Sequence, residues 1–188
     1  VTAYTIALHG TEEQKQKYLP PMLRGEKIGA FLLTEPQAGS DTAAFRATAR
    51  RDGDHYVLNG TKQFISNGSE AGMTIVLART DPQAGRKGFT TFLVDPASSG
   101  YNIARVEDKL GQRTAHIAQI QLDNLRVAAS NVLGEVGGGY KIVMGGLSDG
   151  RIAIAAQAVG VAQAALDAAI RYASEREAYG KPIAALQA

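Results

Sequence analysis

No cysteine occurs anywhere in the 188 residues, which excludes disulfides, thiolate-ligated metals and a cysteine nucleophile together. Such a chain suits a reducing compartment, with the cytoplasm as the first expectation. A surplus of one charge is nearly missing too: 20 Lys and Arg face 18 Asp and Glu, for a formal net charge of +2. Without a basic cluster a nucleic acid is not an expected partner, although the slight surplus suits a small phosphate-bearing molecule. No uninterrupted apolar run approaches the roughly 20 residues that cross a bilayer, and no basic stretch followed by an apolar one opens the chain. No membrane span is expected. Three histidines lack carboxylate or cysteine neighbours at ligand spacing, so no metal site is expected either. Internal repeats and low-complexity segments are absent.

What remains is 45% apolar and 20% charged, enough to bury the core of one ordinary domain or two small ones. The chain opens at Val1 and stops at Ala188 after a strongly helical stretch, with no terminating signal. Both ends read as cut.

Thr11-Glu12-Glu13-Gln14 has the pattern of a capping box, and Pro20-Pro21 is expected to end the short helix it opens. From Ile28 short apolar runs alternate with turn signals, the pattern of an antiparallel β-domain, with strands expected at 30–34, 45–50, 55–58, 73–78, 89–94 and 117–122. Asp52-Gly53 and Asn59-Gly60 are each read as hairpin turns. After Gly137-Gly138-Gly139 the period becomes helical, and Arg151 to Arg176 predicts one helix about 39 Å long. The expected class is α+β: a central antiparallel β-barrel or sandwich flanked by helical segments, with boundaries at 1–28, 29–133 and 134–188.

Two segments carry the candidate chemistry. In Leu33-Thr34-Glu35-Pro36-Gln37-Ala38-Gly39-Ser40-Asp41 a strand runs into a loop of small and hydroxylated residues. Gly39 lets backbone approach a ligand, and the Thr34 and Ser40 hydroxyls can bind carbonyl or phosphate oxygens. An ordinary Pro/Gly turn would read the same way. In Gln63-Phe64-Ile65-Ser66-Asn67-Gly68 an aromatic ring precedes a hydroxyl by two residues, placing both on one strand face where they could hold a flat heterocycle. A plain core aromatic is the alternative.

Together these segments resemble the acyl-CoA dehydrogenase family, whose first signature has the spacing of Thr34-Glu35 and Gly39-Ser40-Asp41. The resemblance continues through Lys109-Leu110-Gly111-Gln112-Arg113, Val132-Leu133-Gly134, Gly150-Arg151 and Arg176-Glu177-Ala178-Tyr179-Gly180-Lys181-Pro182. It implies α,β-dehydrogenation of an acyl-CoA thioester, as in fatty-acid β-oxidation, with FAD as cofactor and an electron-transfer flavoprotein as acceptor. A homotetramer, in the bacterial cytoplasm or the mitochondrial matrix, is implied as well. Phe31, Leu33, Thr34, Gly39, Ser40, Phe64, Ile65 and Ser66 would then border the flavin, with Ser40 also reaching the acyl-CoA. Phe64 and Ser66 stand where relatives often carry Trp and Thr. Ser148 and Arg151 would contact acyl-CoA, Ser148 standing where relatives often have Asp; Arg176 and Gln187 would serve the FAD of a neighbouring subunit. The resemblance puts the catalytic Glu beyond residue 188 or at the position of Gly150. Glu35 is expected to be structural, and Asp149 is one residue out of place on a helix.

The same scaffold also hosts acyl-CoA oxidases and flavin monooxygenases, and a CoA-binding or oligomer-scaffolding protein without activity is a reading from another class. Gly146-Leu147-Ser148-Asp149-Gly150 matches a hydrolase nucleophile elbow, but that motif must follow a strand, and His9, His55 and His116 all precede the Ser. Gly134, Gly137, Gly138 and Gly139 do not make a dinucleotide fingerprint, and no βαβ alternation surrounds them.

Overall fold

Thr11 and Gln14 close the capping box as the sequence predicts, their reciprocal hydrogen bonds measuring 3.1 and 3.2 Å. They stand at the start of α2 (Glu12–Leu23), which follows α1 (Thr2–His9) in the computed structural model, where residues 1–187 are described. Gln14 also fastens the helix to the β-sheet, because its buried amide Nε2 donates to the carbonyls of Ser130 and Val132, each at 2.9 Å. Pro20 and Pro21 do not end α2, contrary to expectation, but lie in its last turn. Their carbonyls accept from the amides of Arg24 at 3.1 Å and Glu26 at 2.9 Å, so the turn closes beyond them although two amide donors are lost.

The sheet has eight strands: β1 (Gly29–Leu32), β2 (Thr48–Asp52), β3 (His55–Ser66), β4 (Met73–Arg79), β5 (Phe89–Val94), β6 (Tyr101–Val106), β7 (Ile117–Ala128) and β8 (Val132–Leu133). Their order is β6-β7-β3-β2-β4-β5-β8, with β1 beside β4. The α+β class stands, but the sheet is mixed. β1 runs parallel to the first part of β4 and β2 meets the end of β4 in parallel through Thr48 and Arg79, so residues 33–47 leave and rejoin the edge of β4 without reversing the chain's direction.

Asp52-Gly53 turns the β2–β3 hairpin, with Gly53 at φ 63°. Asn59-Gly60 makes no hairpin. It is a bulge inside the 12-residue β3, where the register against β7 shifts between Leu58 and Gly60. Gly60 has φ 145°, and a Cβ there would lie 2.7 Å from Ala47 Cβ. Strand β6 has no counterpart in the sequence reading, because only Tyr101 of its six residues is buried and an edge strand of that kind shows no apolar alternation.

Alternation across β1, β4 and β5 buries both faces. Ala30, Leu32, Val76, Ala78, Phe92 and Val94 enter an interior cluster shared with Leu58, Ile65, Ile120 and Leu122. On the other face Ile75 and Leu93 meet Ile6 of α1 and Ile142, and the half-buried Tyr18, Leu19, Met22 and Phe31 pack against them. The strands that carry the first candidate segment are therefore held from both sides.

Helix α3 (Gly139–Glu175) has 37 residues and begins well before Arg151. Its first turns, with Ile142 and Val143 buried, belong to a compact unit ending at Gly146, and a second unit begins at Leu147. In that second unit the rest of α3 is followed by a small hairpin of β9 (Glu177–Ala178) and β10 (Lys181–Pro182). By length and composition α3 could cross a membrane, although no continuous run of large apolar residues is visible in the sequence. Small residues make up the difference: between Ile152 and Ile170 alanines and glycines predominate and Asp167 is the charged residue. Ile152, Ile154, Val159, Val161, Leu166 and Ile170 are exposed.

The bulge gives a stability test. Gly60→Ala should destabilise by about 2 kcal/mol or more, from steric overlap and a backbone that L-residues rarely adopt. Gly39→Ala, where nothing lies within 4 Å, should stay within about 0.5 kcal/mol of the parent. Urea denaturation of both variants reads the difference, and a Gly60→Ala protein as stable as the parent would refute the close packing of β3 on Ala47.

Candidate functional site

Beyond β1 the chain enters a tight turn, Glu35-Pro36-Gln37-Ala38, closed from both sides by Glu35 N to Ala38 O at 2.9 Å and Ala38 N to Glu35 O at 3.0 Å. Pro36 presets the turn, and the Glu35 side chain folds inward beneath it. Its carboxylate accepts from Lys62 Nζ at 2.8 Å, from the amides of Arg46 at 2.6 Å and Ala47 at 3.0 Å, and from Gln37 Nε2 at 2.7 Å. Lys62, on β3, is fully buried, donates also to the Leu33 carbonyl at 3.0 Å, and stands 5.1 Å from the centre of the Phe45 ring.

Burial acts on both charges. For Glu35 it pushes the carboxyl upward, but the Lys62 charge and the hydrogen bonds from Lys62, Arg46 and Ala47 outweigh it and hold the group below the usual carboxylate range. For Lys62 burial lowers the ammonium from its ordinary value, and the Glu35 charge and hydrogen bond oppose that only in part. Four donors, two of them backbone amides, converge on the Glu35 oxygens, the geometry of an ionised carboxylate paired with Lys62.

The pair brings the two candidate segments together. Next to Lys62, the amide of Gln63 donates to the Thr34 carbonyl at 2.8 Å, which sets Thr34 beside Phe64. Phe64 has φ 56° and is 60% exposed, at the point where β3 slips register against β7 between Lys62 and Ile65. An exposed aromatic held in the left-handed region is strained by about 1–3 kcal/mol, the kind of conformation that accumulates at binding sites. Ser66 is exposed and Ile65 is 2% exposed, so Ile65 faces the core and has only its backbone to offer a ligand. A bulge thus intrudes on the simple strand geometry read from the sequence, yet Phe64 and Ser66 emerge on either side of the buried Ile65.

Of the other candidates in this unit, Phe31 is half-buried against the helix-side cluster, Leu33 is buried and Thr34 is half-buried. Gly39 and Ser40 are exposed, with open space where a Gly39 side chain would stand. The far end of the loop is tied down separately, by the Thr42 and Tyr140 hydroxyls 2.7 Å apart and by Arg79 Nη2 donating to the carbonyls of Ala43 at 3.0 Å and Phe45 at 3.2 Å. In the second unit Ser148 and Arg151 are exposed on α3 one turn apart, hence on one face. Arg176 follows the end of α3; its carbonyl accepts from Ile183 N at 2.8 Å, and both Arg176 and Gln187 are exposed. The segment 146–150 is helical throughout, not a strand-to-helix turn, and this rules out a nucleophile elbow.

Lys62 is the residue that sequence reading missed. A lysine in a polar-looking strand reads as a solvated charge; the available signal was Glu35, an acid beside a buried strand end that had to be neutralised from somewhere.

Comparison with known proteins places this geometry. Family models for the acyl-CoA dehydrogenase N-terminal, middle and C-terminal domains match residues 1–26, 30–125 and 137–188. A 3-(aryl)acrylate reductase of Clostridium sporogenes is 50% identical over 181 residues, covering 96% of this chain and 48% of the relative. The mitochondrial short-chain specific acyl-CoA dehydrogenase of Rattus norvegicus is 47% identical, covering 97% of this chain and 44% of the relative. Among solved structures, butyryl-CoA dehydrogenase from Megasphaera elsdenii superposes with a TM-score of 0.92 at 43% identity, over 98% of this chain and 48% of that one. The chain spans about half the length of the curated relatives it matches.

Two outcomes follow from the ion pair. Lys62→Met should cost about 3–5 kcal/mol, because it strands the Glu35 charge in the interior. Because the folded-state pKa of Glu35 is depressed, its contribution is fully present above the unfolded carboxylate value of about 4.3 and is lost as pH falls through the folded value. The stability gap between parent and Glu35→Gln, read by urea denaturation, should therefore be widest near neutrality and shrink below about pH 4. A gap independent of pH would contradict the charged pair.

Proposed function

The chain belongs to the acyl-CoA dehydrogenase family, and from that premise we propose that it serves an FAD-dependent oxidoreductase that converts an acyl-CoA thioester to the trans-2-enoyl-CoA and hands the electrons to an electron-transfer flavoprotein. The observation that carries this reading is the meeting of Thr34 with the Phe64–Ser66 segment through the Gln63 amide. A flat ring, two hydroxyls and an open loop, carried on two segments joined by that bond, are the chemistry that a flavin and a thioester require.

The residues present fit the cofactor. Bound FAD would supply the hydride acceptor. Phe64 offers a ring face, with less stacking area than the Trp common in relatives, and Thr34 and Ser66 offer hydroxyl donors to the ring edge. Ser40 and the open space at Gly39 suit the approach of the thioester and pantetheine. We assign Ser148 and Arg151 to acyl-CoA, and Arg176 and Gln187 to the FAD of a neighbouring subunit in a homotetramer.

The α-proton needs a base in a dry site. Glu35 does not serve, since its carboxylate already accepts from Lys62, Gln37 and two amides beneath the loop. Asp149 lies one position before Gly150, where some family members carry the Glu. We place the base outside the described residues.

The 50% identity to an arylacrylate reductase supports a second reading, the same chemistry run backwards. A hydride from reduced flavin would then reach the β-carbon of a 2-enoyl substrate and a proton the α-carbon. One anaerobic experiment on the protein expressed from its complete reading frame separates the two. Acyl-CoA esters should bleach the bound flavin and 2-enoyl esters should reoxidise it in either reading; near-complete bleaching by the acyl ester marks a dehydrogenase, and near-complete reoxidation by the 2-enoyl ester marks a reductase. A flavin indifferent to both would overturn the proposal. In the same protein Arg176→Glu should weaken FAD retention through gel filtration at least about tenfold, by setting negative charge against a pyrophosphate; unchanged occupancy would remove the assignment of Arg176.

A further inference from the structure

Taking the flavin reading of the loop as given, we propose that Lys62 is a positioning residue for the reaction, its ammonium fixing the Leu33 carbonyl and so the height at which Thr34 meets Phe64. The β1–β4 ladder ends at Leu32 opposite Val76, so the Leu33 carbonyl has no strand partner. Lys62 Nζ supplies the donor at 3.0 Å, and the next carbonyl, that of Thr34, accepts from Gln63 N at 2.8 Å. Successive carbonyls of the first segment are thus taken by successive residues of the second. The first of these bonds is made by a side chain and the second by backbone.

The ammonium cannot move to another place. Glu35 Oε1 stands 2.8 Å away and the Phe45 ring 5.1 Å away, and Phe45 is itself held edge-on by Phe89 with ring centroids 6.5 Å apart. The far end of the loop is anchored independently through Thr42, Ala43 and Phe45, so losing Lys62 unfastens the Leu33 carbonyl and loosens the turn that follows it while the rest of the loop stays in place. That separates positioning from mere stability. A buried ion pair that only stabilises can be replaced by uncharged groups of similar volume with little loss. One that positions cannot, because the Leu33 carbonyl still requires an N–H.

The test compares Lys62→Met/Glu35→Gln with the parent, both expressed from the complete reading frame. The Gln keeps one acceptor oxygen, enough for the Arg46 or the Ala47 amide but not both, and no charge is stranded. In the cofactor-free proteins, amide exchange at residues 34–38 should be at least about tenfold faster in the double variant, with β7 unchanged. FAD should bind at least about tenfold more weakly, with a shifted visible spectrum. Glu35→Gln alone costs stability by removing the counter-charge of the buried Lys62, but the Lys62 nitrogen, charged or neutral, still carries an N–H for the Leu33 carbonyl, so the folded variant should keep both properties within about threefold of the parent. Should the double variant not fold, Lys62→Cys converted to its aminoethyl derivative before refolding restores an ammonium at that site and should restore exchange protection and FAD binding; this chain contributes no other cysteine. Unchanged exchange and FAD affinity in the double variant, equal losses in Glu35→Gln, or a folded aminoethyl protein with neither property restored would each overturn the role of Lys62. A parent protein that takes up no FAD removes the flavin reading instead, and the exchange result then decides on Lys62 alone.

Discussion

An ammonium buried among apolar side chains is tolerated only where a counter-charge and hydrogen-bond acceptors surround it, and Lys62 meets that condition with Glu35, the Leu33 carbonyl and the face of Phe45. The placement of the candidate segments follows from this requirement. Glu35 must turn inward, and its turn with Ala38 must close above it. The amides of Arg46 and Ala47 must come back to the carboxylate, which draws the chain towards β2. Removing either charge leaves the other unbalanced beneath the segment proposed to meet the flavin.

The sheet supplies the rigidity for this arrangement. Strands β1, β4 and β5 are buried on both faces, by the interior cluster on one side and by α1, α2 and the start of α3 on the other. Gln14 locks α2 to the first residue of β8 and to the turn before it through the carbonyls of Val132 and Ser130, so the helical layer is attached at a defined point and does not merely cover the sheet. The loop between β1 and β2 can hold an exposed, strained neighbour such as Phe64 because the elements on both sides of it are fixed.

Much of this was legible in the sequence wherever the signal was local. The capping box depends on residues three apart, the β2–β3 hairpin on Asp52-Gly53, and the family resemblance on ordered short motifs; all three are found. Features set by distant partners were hidden. Asn59-Gly60 has the dipeptide of a hairpin, but Ala47 packs so closely on Gly60 that the strand bulges and continues. Pro20 and Pro21 look like a stop, yet later amides capture their carbonyls. Lys62 looks solvated until Glu35, 27 residues earlier in the chain, is found beneath it. The candidate residues of the first segment and of Phe64–Ser66 were readable as motifs; the contact that unites them, a backbone bond from Gln63 to Thr34, has no sequence signature.

The most direct measurement is a crystal structure of the complete protein with FAD. The flavin ring should be bordered by Thr34 and by Phe64 and Ser66, with Lys62 still bonded to Glu35 and to the Leu33 carbonyl beneath the loop. A flavin seated elsewhere on the protein, or one seated there with the Lys62–Glu35 pair broken, would contradict the placement of the site on this buried pair.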